Sequence, residues 1–128
     1  MFDEALRSRL LVDSALAALI GTRVTWTIRP QGAPYPAVVL SLISDGRPQR
    51  MKGFQALRDT RVQIDCYAET ALSKLAVREA VIAAIAPAAV VAGTTFARCF
   101  IEAVRDRGDD STTQFIHRDS IDATFWHD

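Results

Sequence analysis

One stretch near the middle of the chain, residues 61–67, constrains the fold more than any other. Apolar residues occupy every second position in it, and side chains two apart on a strand share a face. Thr70 follows a short corner, and its hydroxyl is suited to capping a helix over residues 71–86. We therefore expect a central strand followed directly by a long helix, with Ile64 buried between the sheet and that helix.

The residues before this stretch begin with two helical patterns. Apolar side chains recur at helical spacing over residues 2–12, with Arg9 on another face of the helix. A shorter helix is expected over residues 15–20, and Gly21 is suited to ending it in a left-handed conformation. Both helices are expected to pack on the core.

Strand patterns fill most of the remaining chain. Alternation predicts a short strand at 24–28, whereas the apolar run 37–44 predicts a strand covered on both faces. Two further strands, 96–106 and 114–126, are expected to form a hairpin around a turn at 107–111. The predicted fold class is α/β (α+β), with a mainly antiparallel sheet, N-terminal helices and one long central helix packed on one face.

The long helix has two apolar stripes, and one of them is sufficient to cover the sheet. The first stripe includes Leu72 and Leu75, and the second repeats at a spacing of four beside Lys74 and Arg78. One stripe can therefore meet the N-terminal helix or a neighbouring subunit. Outward positions on the last two strands add aromatic side chains, and exposed apolar surface of this extent is usually an interface. The candidate oligomer-interface residues are Val77, Val81, Ile85, Phe100 and Trp126.

A long loop over residues 45–58 has no clean period and carries several bases against one acid, Asp45. Loops of this length inside a compact domain are usually functional or disordered. Two interpretations stay open: a solvated hairpin tip, and a basic arm that reaches a partner protein or a phosphate backbone. The candidate partner or DNA contacts are Arg47, Arg50, Lys52 and Arg58.

No constellation in the sequence predicts catalysis. The chain has no glycine-rich phosphate loop, and His117 and His127 have no metal-ligand spacing. Asp119 and Asp122 are expected on opposite faces of one strand, which argues against a shared acid–base site. We therefore expect a protein that is not an enzyme, with no catalytic residues, no metal site and no cofactor.

Length and composition are those of one globular domain, residues 1–128. Lys plus Arg and Asp plus Glu number 15 each, so no overall field directs the chain to nucleic acid or to a membrane. Cys66 and Cys99 fall on apolar sides of predicted strands, which favours free thiols in a reducing environment. The first residues are acidic and the sequence has no long apolar run. We therefore expect neither export by a standard signal nor insertion into a membrane.

The order and spacing of five segments resemble a known family. The segments are FDEALR at 2–7, VDSALAALIGTRV at 12–24, PQGAPYP at 30–36, RVQIDCYA at 61–68 and RDSID at 118–122. Over nearly its whole length the chain resembles the tail completion, or tail terminator, proteins of long-tailed, siphovirus-like phages and of gene-transfer agents.

The resemblance implies a structural virion protein with an antiparallel sheet and helices on one face. Such a protein forms a homo-hexameric ring on the finished tail tube, stops polymerisation of the tube and provides the surface for joining to the head. The implied partners are further copies of the chain, the tail tube protein, the head-side connector and, non-specifically, DNA in the lumen, with no membrane. The implied location is the tail end at the neck, after assembly in the bacterial host cytoplasm.

Two other functions remain open at this stage. A head-side connector or stopper protein of the same neck differs only in the partner that it binds. A free-standing, small-ligand-binding α/β domain would instead require an apolar pocket with converging polar groups.

Overall fold

The computed structural model describes residues 2–28, 34–51, 53–54, 57–109 and 115–128. In these residues three helices lie on one face of a mainly antiparallel sheet, which confirms the predicted fold class. The helices are α1 (Phe2–Val12), α2 (Ser14–Ile20) and α3 (Ala71–Ile85). The strands are β1 (Val24–Trp26), β2 (Ala37–Gly46), β3 (Gln49–Arg50), β4 (Gly53–Phe54), β5 (Arg58–Ala68), β6 (Ala89–Val91), β7 (Thr94–Phe96), β8 (Phe100–Asp109) and β9 (Ile116–His127).

The main sheet has the strand order β1-β2-β5-β9-β7-β6, and β8 also pairs with β9. β1 runs parallel to β2, and the other pairs are antiparallel. β7 and β8 share one side of β9: β7 pairs at His127, and β8 pairs from Thr124 to Ile116. The last strand of the sequence therefore lies in the middle of the sheet, between β5 and β8.

The core lies between the sheet and the three helices. Ile64 is fully buried and pairs with Leu40 on one side and Ile121 on the other. The same core cluster contains Val77 of α3 and Leu10 of α1. The prediction that Ile64 lies between the sheet and the long helix is confirmed.

Local signals at the helix ends are also confirmed. Thr70 Oγ1 accepts a hydrogen bond of 3.1 Å from the backbone N–H of Ser73, so it caps α3 as expected. Asp13 caps α2 in the same way, at 2.9 Å from the N–H of Leu16. Gly21 ends α2 with a φ of 60°, a conformation that favours glycine.

The strand and turn predictions need three corrections. Only the first part of β2 is covered on both faces, because Leu42 and Ile43 are exposed near its far end. The predicted strand 96–106 is interrupted at residues 97–99, which separate β7 from β8. The turn expected at 107–111 does not begin at 107, since β8 continues to Asp109, and residues 110–114 lie outside the described residues.

Arg9 is buried, although the sequence set it apart from the apolar face of α1. Its Nε donates a hydrogen bond of 3.0 Å to the carbonyl oxygen of Ala84, and its Nη2 donates to that of Pro87. The guanidinium also lies over the ring of Phe96, 5.2 Å from the centroid. A cation at the end of α3 satisfies carbonyls that the helix leaves without partners.

Candidate assembly surfaces

The hairpin between β2 and β5 forms an arm, defined here as residues 47–57, that contains β3 and β4. Asp45 lies at its base. Its carboxylate accepts a hydrogen bond of 3.0 Å from Thr60 Oγ1 and lies 2.8 Å from Nη2 of Arg47 and 3.9 Å from Nη1 of Arg58. Burial alone would raise the pKa of Asp45, but hydrogen bonds from Arg47 and Thr60 and the positive charges of Arg47 and Arg58 together lower it.

The four candidate contact residues of the arm are placed unequally. Arg47 has a side chain that is 57% exposed, whereas Arg58 is half-buried at the start of β5. Both side chains form ion pairs with the carboxylate of Asp45. Arg50 belongs to β3, but its side chain lies outside the description, and Lys52 lies outside the described residues. A role of these bases in partner contact therefore stays a prediction.

An apolar hollow of about 330 Å³ lies on the face of the sheet turned away from the helices. It lies beside the base of the arm. Arg98 lies in the segment 97–99, which separates β7 from β8. Phe100, at the start of β8, is 54% exposed. The hollow is lined by Leu57, Ala97, Arg98, Phe100 and Trp126.

The hollow brings together two of the predicted interface residues, Phe100 and Trp126. Leu57 was not among the residues predicted from the sequence for this surface. The signal that could have identified Leu57 is its position as an apolar residue directly before β5. Leu57 and Phe100 are exposed and Trp126 is partly buried, so the hollow is a candidate for contact with a partner.

The other three predicted interface residues are placed differently. Val77, Val81 and Ile85 are fully buried in the core of the subunit itself, so these side chains have no surface to offer a partner. The prediction of an intersubunit stripe at these residues is wrong. Leu72 and Leu75, on the other stripe of α3, are exposed, at 81% and 38%.

A buried ion cluster joins α3 to β8 and β9. Asp119 is fully buried, with one carboxylate oxygen 3.3 Å from Lys74 Nζ and the other 3.2 Å from Arg78 Nη1. Lys74 also lies 3.0 Å from Asp106. Burial alone would lower the pKa of Lys74, but its hydrogen bond to Asp106 and the negative charges of Asp106 and Asp119 together raise it.

Asp119 and Asp122 lie on opposite faces of β9, as predicted. Asp119 contacts α3, whereas Asp122 accepts a hydrogen bond of 3.1 Å from Arg105 on the other face. The described part of the chain contains no group of His, Cys, Asp and Glu side chains that could hold a metal ion. Nor does any of its helices have the length and apolarity needed to cross a membrane.

The described residues form a packed sheet with helices on one face, an arm and an apolar hollow. The family model for tail completion protein gp17 matches residues 4–124, so the chain belongs to this family. It is accordingly a structural protein of a phage-type tail, and the resemblance seen in the sequence is confirmed. Among curated proteins none matches the chain.

A solved structure described as the virion of a native gene transfer agent (GTA) particle contains a chain of similar fold. The TM-score is 0.63, and the match covers 98% of this chain and 93% of that chain at 20% sequence identity. At this identity the likeness establishes the shared fold.

Proposed function

We propose that this protein forms a ring that caps the end of a tail tube, stops polymerisation of the tube and provides the surface for joining to the head. Membership of the tail completion family over residues 4–124 carries the proposal. The apolar hollow at Phe100 and Trp126 supports it, because a subunit that works in a ring needs apolar surface that a neighbour can cover.

The two ends of the sheet differ in chemistry, which suits a terminator. One end, called the arm end here, carries the basic arm and the hollow. The other end carries the first turn of α3 with the exposed Leu72. Such a subunit can bind the growing tube through one end. Its other end presents a different surface, to which a further tube subunit cannot add, so polymerisation stops.

The arm supplies a contact for the neck in this proposal. The side chain of Arg47 is exposed, and Arg50 and Lys52 follow it within five positions of the sequence, so the segment is locally basic. The contact is with a neighbouring neck protein or, non-specifically, with DNA in the lumen. The partners are then further copies of the chain, the tail tube protein and the head-side connector, with assembly in the bacterial host cytoplasm.

Tail length and head joining test the proposal. Particles made without this protein should contain tails of irregular, excessive length, and complementation with the wild-type chain should restore one length. Cryo-electron microscopy of restored particles should reveal six copies in a ring at the neck end. Tails of normal length that fail to join heads would instead support a head-side connector.

A further inference from the structure

One edge of the sheet is a long strand without a second neighbour. β8 pairs with β9 from Phe100 to Asp109, and no strand of the described chain pairs with its other side. Val104, near its middle, is 41% exposed. An open edge offers unpaired N–H and C=O groups to which another strand can add.

The opposite edge of the sheet is open over part of its length. β1 pairs with β2 only at Val38–Leu40, so residues 41–46 have β5 as their single strand neighbour in the part of the chain that the structure describes. Leu42 in this segment is 55% exposed, and Ile43 is exposed as well. The open segment lies at the arm end, as does the start of β8.

A single row of side chains connects the two open edges. Leu42 pairs with Val62, Val62 with Ala123, and Ala123 with Ile101. The row faces the helices and is apolar at both ends. A second copy placed beside the first at the same height would set its Leu42 next to Ile101 and continue the row.

The strand directions agree with such a junction. Each step from β2 to β5, β9 and β8 is antiparallel, so β8 runs opposite to β2 within one subunit. Rotation about a ring axis parallel to the strands keeps every strand direction unchanged. β8 of one copy therefore meets β2 of the next in the antiparallel sense, which needs no inversion of the subunit.

Irregularities at the two edges favour a second copy over an unrelated strand. The register of β2 shifts between Leu42 and Ser44, and that of β8 shifts between Ile101 and Ala103. Bulges of this kind discourage pairing with a regular strand. Both lie beside the row that joins Leu42 to Ile101, so in a second copy at the same height the two irregular segments would face each other.

We propose that copies of this chain join edge to edge, with residues 100–103 at the start of β8 of one copy pairing antiparallel to residues 41–44 of the next, so that one sheet continues from subunit to subunit. The inference rests on the ring of the proposed function and names the surfaces that close it. Because β2 leads into the arm, the arm of the neighbour leaves the junction beside Phe100, where it covers the apolar hollow.

Paired cysteines test the junction in assembled tails. Within one subunit, Leu42 and Ile101 are separated by two intervening strands, or about 14 Å at about 4.8 Å per strand. This separation is too large for a disulfide, so a bond in Leu42→Cys/Ile101→Cys must join two copies. Mild oxidation should give a ladder of covalent multimers that ends at the ring size and collapses to one band on reduction.

Leu72→Cys/Ile101→Cys is the matched control, because Leu72 is more exposed than Leu42 but lies outside the junction. It should give no ladder, and an equal ladder would overturn the proposal. In a second test, Leu42→Lys should keep the thermal midpoint of the isolated subunit but abolish the ring, since it places a charge in the apolar row. Leu72→Lys should retain the ring.

The outcomes separate the junction from the function. Rings that give no 42–101 disulfide and that tolerate Leu42→Lys overturn the edge junction while the proposed function stands. Tails that end normally with no ring overturn the proposed function itself. A density map in which β8 pairs with a strand of the tube protein overturns the assignment of a second copy.

Discussion

The ring of Phe2 is stacked on the imidazole of His127, with centroids 4.2 Å apart and planes inclined by 9°. The imidazole Nε2 lies 2.6 Å from Thr60 Oγ1, and Nδ1 lies 2.9 Å from the carbonyl oxygen of Asp128. Burial lowers the pKa of His127 from its usual value of 6.5, and the positive charge of Arg58 acts in the same direction. The start of α1 and the end of β9 are therefore joined through a histidine that favours its neutral form.

The free energy of unfolding should fall as the pH drops below about 6.5, because the unfolded chain then binds a proton that the folded chain resists. Above that pH both states are neutral at His127 and its contribution is constant. The slope cannot exceed about 1.4 kcal/mol per pH unit for one proton. Urea titrations between pH 8 and pH 5 should reveal this slope in the wild type and a smaller one in His127→Phe, which keeps the stacking. An unchanged slope in the variant would contradict the assignment.

Asp119→Asn should destabilise the subunit by about 3–5 kcal/mol, because it leaves the buried side of Lys74 and Arg78 without a carboxylate. Asp122→Asn on the same strand is the matched control. Its partner Arg105 is about half exposed, so the loss should be below about 1 kcal/mol. Chemical denaturation of both variants measures the difference, and equal losses would mean that the cluster contributes no more than a surface pair.

Both thiols should be inert in the folded protein. Burial raises the pKa of Cys66 above its usual range and that of Cys99 to about 12, and neither is in a disulfide. A thiol reagent at pH 7.5 should therefore modify neither residue in native buffer and both in denaturant, since the thiolate is the reactive form. Rapid modification of one thiol in native buffer would reveal local opening, which for Cys99 means the segment between β7 and β8.

Replacing Arg47, Arg50 and Lys52 together by Glu should leave folding intact, because the exposed pair of Arg47 with Asp45 contributes under about 1 kcal/mol. If the arm contacts the neck or DNA, tails of normal length should fail in head joining or DNA delivery. If the arm grips the tube, tail lengths should become irregular. Electron microscopy and a delivery assay distinguish these results, and normal particles would mean that the arm is only a solvated connection.

Local signals predicted most of the elements of this fold. The alternation in β5, the Thr70 cap and the Gly21 conformation each depend on neighbours in the sequence, so they could be read without a structure. The break at residues 97–99 could not, because it is imposed by tertiary hydrogen bonds from the N–H of Ala97 to Trp126 and from that of Cys99 to Ala86.

The candidate surfaces were less predictable than the elements. α3 has two apolar stripes, and periodicity alone does not say which one faces the sheet. Lys74 lies on the buried stripe because Asp119 neutralises it there, a pairing 45 residues apart in the chain that no local pattern reveals. The outward positions of Phe100 and Trp126 followed from strand alternation, but their meeting with Leu57 required the arm to fold back onto the sheet.

The position of β9 has a consequence for synthesis on the ribosome. β5 and β8 each depend on β9 for a neighbour, and β9 comes from the final segment of this sequence, Ile116–His127. Until that segment leaves the ribosome, the nascent chain has neither its central hydrogen-bond ladder nor the carboxylate of Asp119 beside α3. Contacts between distant segments also form slowly. A chain synthesised only as far as β8 therefore lacks the neighbour that orders β8 as an edge strand.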